Sequence, residues 1–177
     1  WNASEPDVEV WSRIFFRNYF GREARDIREL FGILQTSAAF YYDTFQRRVW
    51  HWGDVGKVHV PDFPRGDLEY NPFWRRRYAR MLNDARTERF RIERALRIID
   101  DNLSRNVRHR YDFEVMRTCA EMMRHNVDLV LMLGELEEAI ALASAAHFAD
   151  RRESLRQLRR AQTMIENHLA DRKAVFE

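Results

Sequence analysis

Cysteine occurs once in the 177 residues, at Cys119, so no intrachain disulfide can form and the redox compartment stays undetermined. Glycine (6) and proline (4) are scarce, which excludes collagen-like and low-complexity chains and leaves few interruptions to regular structure. Long hydrophobic runs are missing as well. The most apolar stretch, DLVLMLGELEEAIALASAAHF, is broken by Glu135, Glu137 and Glu138, so no membrane span and no membrane partner are expected. Neither sign of charge dominates: 30 basic residues stand against 28 acidic ones, for a net +2. No strong field steers the chain onto nucleic acid, which is not an expected partner. Lysine is nearly absent, with Lys57 and Lys173 alone against 28 arginines. Guanidinium groups bind phosphate in bidentate fashion, but here they alternate with Asp and Glu in the manner of a surface laced with ion pairs.

What is present is 45% apolar and 33% charged residues, the profile of an all-α protein. Ser4 as N-cap, Pro6 in the first turn and Asp7 three residues after Ser4 predict a helix over about 5–20, closed by Gly21 in a left-handed C-cap. The second helix, about 22–50, carries Ala24, Ile27, Phe31, Leu34, Ala38, Tyr41 and Phe45 at alternating spacings of three and four, a heptad seam. A third, about 73–103, turns Tyr78, Met81, Ala85, Ile92, Ala95, Ile99 and Leu103 inward. A fourth, about 106–147, does so with Val115, Cys119, Met122, Leu129, Leu133, Leu136 and Ile140 and is expected to bend at Gly134. The fifth, about 151–176, offers Leu155, Leu158, Ile165, Leu169 and Phe176. Four long amphipathic helices and a short aromatic one predict an up-and-down bundle. The division expected is a junction over 1–21 and the bundle over 22–177, compact as one domain.

One segment departs from this economy. Residues 51–72, HWGDVGKVHVPDFPRGDLEYNP, are longer than ordinary connections, and such loops often bind ligands. Trp50, Trp52, Phe63 and Tyr70 are interleaved there with His51, Asp54, His59, Asp62 and Asp67, a mixture of flat apolar faces and hydrogen-bonding groups suited to a sugar. GDVGK within it is a turn and not a phosphate loop, since the glycine spacing is wrong and no Ser or Thr follows Lys57. A di-metal bundle needs Glu-x-x-His on two helices, and no His here has Glu three residues before it, although Glu121 and His125 stand one turn apart. Neither metal nor cofactor is expected, and no catalytic residue is assigned. Cys119 reads as a small core residue, and Glu88, falling on the third helix's seam, as a carboxylate paired with Arg.

Trp1-Asn2 at the opening, followed by FFRNYFG and REARDIRELFGIL, resembles the exit from the catalytic barrel of certain glycoside hydrolases, hexosaminidase-like or alpha-glucuronidase-like. Tyr19-Phe20-Gly21 and Ala24 match the junction those enzymes place before a helical C-terminal region. The resemblance covers about the first 35 residues. It implies a non-catalytic helical domain cut from a larger chain, with an upstream catalytic barrel as its partner, a carbohydrate as ligand, and Trp1 of the Trp1-Asn2 pair as a sugar contact; Asn2 beside it, and Trp50, Trp52, Asp54 and His59 by the chemistry of the loop, are the further candidate sugar contacts. The alternative expectation is a free-standing helical protein-interaction module, and the third an enzyme complete in itself. The compartment is left open.

Overall fold

Helices formed wherever apolar residues recur at spacings of three and four. The computed structural model describes residues 7–45, 57–64, 68 and 70–176. Their elements are α1 (Val8–Phe20), α2 (Ile27–Thr44), α3 (Trp74–Arg77), α4 (Ala79–Leu103), α5 (Arg110–Ala146) and α6 (Arg151–Phe176), with no strand among the described residues. The four long helices α2, α4, α5 and α6 make an all-α bundle, as the periodicity predicts.

The ends differ from expectation for local reasons. Asp7, and not Ser4, caps α1: its backbone is extended, and its carboxylate accepts the N–H groups of Glu9 (2.9 Å) and Val10 (3.2 Å). That satisfies orphan donors and sets a negative charge against the positive end of the helix. Ser4 lies outside the described residues. Gly21 closes α1 at φ 95° and ψ 171°, positive as predicted but outside the left-handed helical well, in a region essentially reserved for glycine. The second helix starts at Ile27 because Asp26, at φ 55°, turns the chain into it. It stops at Thr44, well before the predicted residue 50. The predicted third helix is divided at Tyr78 into α3 and α4.

The main core joins α2, α4 and α5 through Leu30, Ala85, Ile92, Ile99, Phe113, Val127 and Val130, closed at one end by Phe20 of α1. The end of α1 is held by three contacts. Arg108 donates its N–H to the carbonyl of Phe20 (2.8 Å), the Tyr19 hydroxyl donates to Asp112 (2.9 Å), and the Tyr19 ring stacks 4.0 Å from that of His109. α5 is helical throughout, and Gly134 is buried where a Cβ would come within 3.0 Å of a Leu82 methyl, so its bareness lets α4 approach.

Several inward assignments are corrected. Phe31 is 40% exposed, flanking the seam against Phe16 and Phe20 while Leu30 occupies the core, and Val115 is also exposed. The largest correction concerns α6. Its contact with α5 is made by Ser154, Gln157, Ala161, Met164 and His168, whereas Leu155, Ile165 and Leu169 face solvent and Leu158 is half-buried. The Ser154 hydroxyl donates to the carbonyl of Ala143 (2.8 Å), and Ala161 packs with Leu136 and Ala139 in a second, smaller core. Small residues allow close approach, and α6 turned them toward α5. The Phe176 side chain lies outside what is described.

Candidate functional site

The returning arm of the long connection, residues 57–64, lies against the start of α3 and α4. Lys57 donates its N–H to the carbonyl of Phe45 (2.8 Å), and the indole N–H of Trp74 donates to the carbonyl of His59 (2.8 Å). The His59 ring stacks on Tyr78 at 5.2 Å, and Trp74 packs against the same Tyr78 at 5.1 Å. The result is a cleft of about 320 Å³ lined by Val58, His59, Asp62, Tyr70, Trp74 and Tyr78, with Phe73 and Arg77 exposed on its rim. Its size lies at the low end for small-molecule sites.

Glu137, fully buried in α5, fixes the floor of this cleft. Its Oε1 accepts the N–H of Trp74 (2.7 Å) and the hydroxyl of Tyr70 (3.0 Å), and its Oε2 accepts the N–H of Arg75 (2.7 Å). A carboxylate from one helix thus caps the first turn of another, which has no capping side chain of its own. Burial, and then the bond to Glu137, hold the Tyr70 hydroxyl above its usual range, so it stays protonated as a donor. In the sequence Glu137 stands out only as an interruption of an apolar run. Nothing in local spacing reports a partner 63 residues away.

Of the residues singled out for sugar contact, His59 lines the cleft; Trp1, Asn2, Trp50, Trp52 and Asp54 lie outside the described residues. Asp62 and Tyr70 of the same loop join His59, and Phe63 instead packs on the small core between α5 and α6. Trp74 and Tyr78, counted from sequence as helix residues, complete the aromatic wall.

The other reactive groups are tied up structurally. Glu88 is buried, accepting from the Ser37 hydroxyl and pairing with Arg91 at 3.2 Å, the Arg partner the sequence reading expects. Glu121 pairs with Arg117 at 3.4 Å, while His125 stacks on His168 of α6 at 4.3 Å, so the two do not converge. Burial lowers the pKa of both histidines and raises that of Asp128, one turn from His125, whose Oδ1 lies 3.3 Å from Arg89. Cys119 is half-buried, and among the described residues no three His, Cys, Asp or Glu side chains form a metal-binding group. The arginines pair across the surface: Arg28 with Glu9 (2.6 Å), Arg94 with Glu29 (2.9 Å) and Arg117 with Asp100 (3.0 Å). None of the described helices is long and apolar enough to cross a membrane.

No protein-family model matches the chain, and neither does any curated protein or any solved structure.

Proposed function

We propose that the chain is a non-catalytic helical domain that braces a neighbouring folded unit through the outer face of α1. The observation that carries this reading is the exposure of Val8 (75%), Trp11 (61%), Ile14, Phe15 and Tyr19 on one short helix, of which Phe20 alone is buried. A contiguous apolar patch of this kind marks an interaction site, and aromatic side chains are the usual anchors of one. The resemblance at the opening makes the catalytic barrel of a glycoside hydrolase, upstream of Trp1, the unit to be braced. The cleft around His59 then lends aromatic and polar groups to a carbohydrate at the barrel's rim. On this reading the 177 residues alone hydrolyse no glycoside, because the paired carboxylates that such chemistry requires belong to the barrel.

The test compares the longer protein with the isolated chain. Trp11→Ala with Phe15→Ala is expected to lower the melting temperature of the joined protein by several degrees and that of the isolated chain by less than about 2 °C, the scale of a surface change. Equal losses in both would return these rings to the bundle. Preservation of both melting temperatures, with loss of binding to a separate protein, would favour the free-standing interaction module, which uses the same face.

A further inference from the structure

Around the end of α1 the pairing of arginines with carboxylates gives out. A cavity of about 750 Å³ opens there, lined by Ile14, Arg17, Asn18, Arg22, Asn106 and Arg108, with Gly21 between them. Its wall holds three guanidinium groups and two side-chain amides, and no carboxylate. Among the described residues the side chains of Arg17, Arg22 and Arg108 make no ion pair and no hydrogen bond. Glu23 follows Arg22 in the chain but does not line the cavity. The adjoining hollow, which shares Arg17, Gly21 and Arg22, does hold Glu9 and Asp26, but those carboxylates are taken by Arg28 (2.6 Å) and Arg94 (3.5 Å).

The three arginines come from three segments of the chain. Arg17 stands in the last turn of α1, Arg22 just beyond Gly21, whose φ of 95° turns the chain out of that helix, and Arg108 in the connection from α4 to α5. The backbone N–H of Arg108 donates to the carbonyl of Phe20 (2.8 Å), which fixes the connection against the end of α1. A cation in the last turn of a helix answers the helix dipole. That accounts for Arg17 alone, because Arg22 and Arg108 stand outside the helices. Like charges brought to one cavity repel, and an anion between them turns the repulsion into attraction.

We propose that this cavity holds a terminal phosphate group carried by a larger molecule. The guanidinium fork matches phosphate oxygens in bidentate fashion, and a tetrahedral phosphate offers oxygens in several directions to arginines arriving from several segments. Asn18 and Asn106 add neutral donors. A bare phosphate would occupy a small part of a cavity that falls within the range of small-molecule sites, so the group is borne by a body that rests on Ile14. The inference goes beyond the α1 reading and needs no barrel. Its failure would leave the melting comparison of Trp11 and Phe15 untouched.

Isothermal titration of the intact chain with inorganic pyrophosphate at low salt tests it. Saturable binding is expected, with dissociation below about 1 mM and weakening as salt is raised. Arg22→Gln and Arg108→Gln, at exposed positions, should each weaken it about tenfold, the scale of one charge-assisted contact, with circular dichroism and melting temperature unchanged. Arg160→Gln, exposed on α6 and remote in the chain from the cavity, should leave binding as it is. Phosphatidylcholine vesicles carrying phosphatidic acid present the same group on a membrane surface. Heat from pyrophosphate identifies a soluble carrier, whereas capture by those vesicles without such heat, abolished in both cavity variants, identifies a lipid headgroup. Neither heat up to about 10 mM pyrophosphate nor capture would overturn the inference. So would binding that both cavity variants retain, or that Arg160→Gln weakens as much.

Discussion

The Glu137 carboxylate of α5 lies 2.7 Å from the backbone N–H of Trp74, the first residue of α3, and the two residues are 63 positions apart in the chain. Three donors converge on that one buried side chain. Glu137→Ala would leave the N–H groups of Trp74 and Arg75 and the Tyr70 hydroxyl without their acceptor, at a cost of about 3 kcal/mol or more. Glu137→Gln keeps one acceptor oxygen but turns an amide donor toward a donor, and should cost about 1 to 2 kcal/mol. Urea denaturation reads both. Losses below about 0.5 kcal/mol, as at ordinary surface sites, would show that water replaces the carboxylate without penalty.

Ser37 and Glu88 form the corresponding pair between α2 and α4. Ser37→Ala removes a donor from a carboxylate that is 2% exposed, leaving it the ion pair with Arg91, and is expected to destabilise by about 1 to 3 kcal/mol. Adding Glu88→Leu should recover much of that loss, because replacing both partners with apolar groups removes the desolvation cost along with the bond. Additive losses in the double variant would contradict this.

On α2 the neighbouring residues Leu30 and Phe31 separate the core from its edge. Leu30 is fully buried, so Leu30→Ala should cost about 2 to 5 kcal/mol through lost transfer and a cavity. Phe31→Ala removes a larger side chain that is 40% exposed and rests on the Phe16 ring at 5.0 Å, and should cost about half as much or less. Thermal denaturation of the two variants would show the reverse order if Phe31 held the seam.

Between α4 and α5, Gly134→Ala sets a gain in helix propensity of about 1 kcal/mol against a contact of 3.0 Å with Leu82 Cδ2, the far end of a side chain that can rotate away. The net change should be small, whereas Gly134→Leu should cost more than about 2 kcal/mol by overpacking. In a Leu82→Ala background Gly134→Ala should become stabilising, which chemical denaturation can resolve.

The stacked pair His125 and His168 predicts a pH dependence. Burial holds both below the usual 6.5, with each other's proximity and Arg172 acting in the same direction on His125, and Asp128 and Asp171 opposing on His168. A lowered folded pKa means that the unfolded chain binds more protons, so this stability is present above about pH 6.5 and is lost as pH falls through the folded values. Asp128, raised by burial, acts oppositely, regaining stability on acidification. Glu29, Asp101 and Glu153, held low by hydrogen bonds from arginines, lose their contribution only below about pH 4.5. The melting temperature should therefore fall between pH 7 and pH 5, and His168→Gln should flatten that fall. An unchanged slope in the variant would place the dependence elsewhere.

Composition and periodicity were sufficient for the all-α class, the four long helices and the bounds of the last one, because a 3.6-residue repeat is a local property that each helix expresses by itself. The pairing of Glu88 with an Arg was legible for the same reason, since Arg91 sits one turn away on α4. Which side of α6 turned toward α5 was not legible. Both of its faces carry helical spacing, and close packing against α5 selected Ser154 and Ala161 over the larger Leu155 and Ile165, a choice that exists only when two helices meet. The cleft was half legible: aromatic and polar residues in a long loop marked His59, Asp62 and Tyr70, but Trp74 and Tyr78 joined them through the fold. Glu137 was invisible for the deepest reason, because a buried carboxylate becomes tolerable only once donors from a distant part of the chain surround it, and tertiary structure alone brings them there.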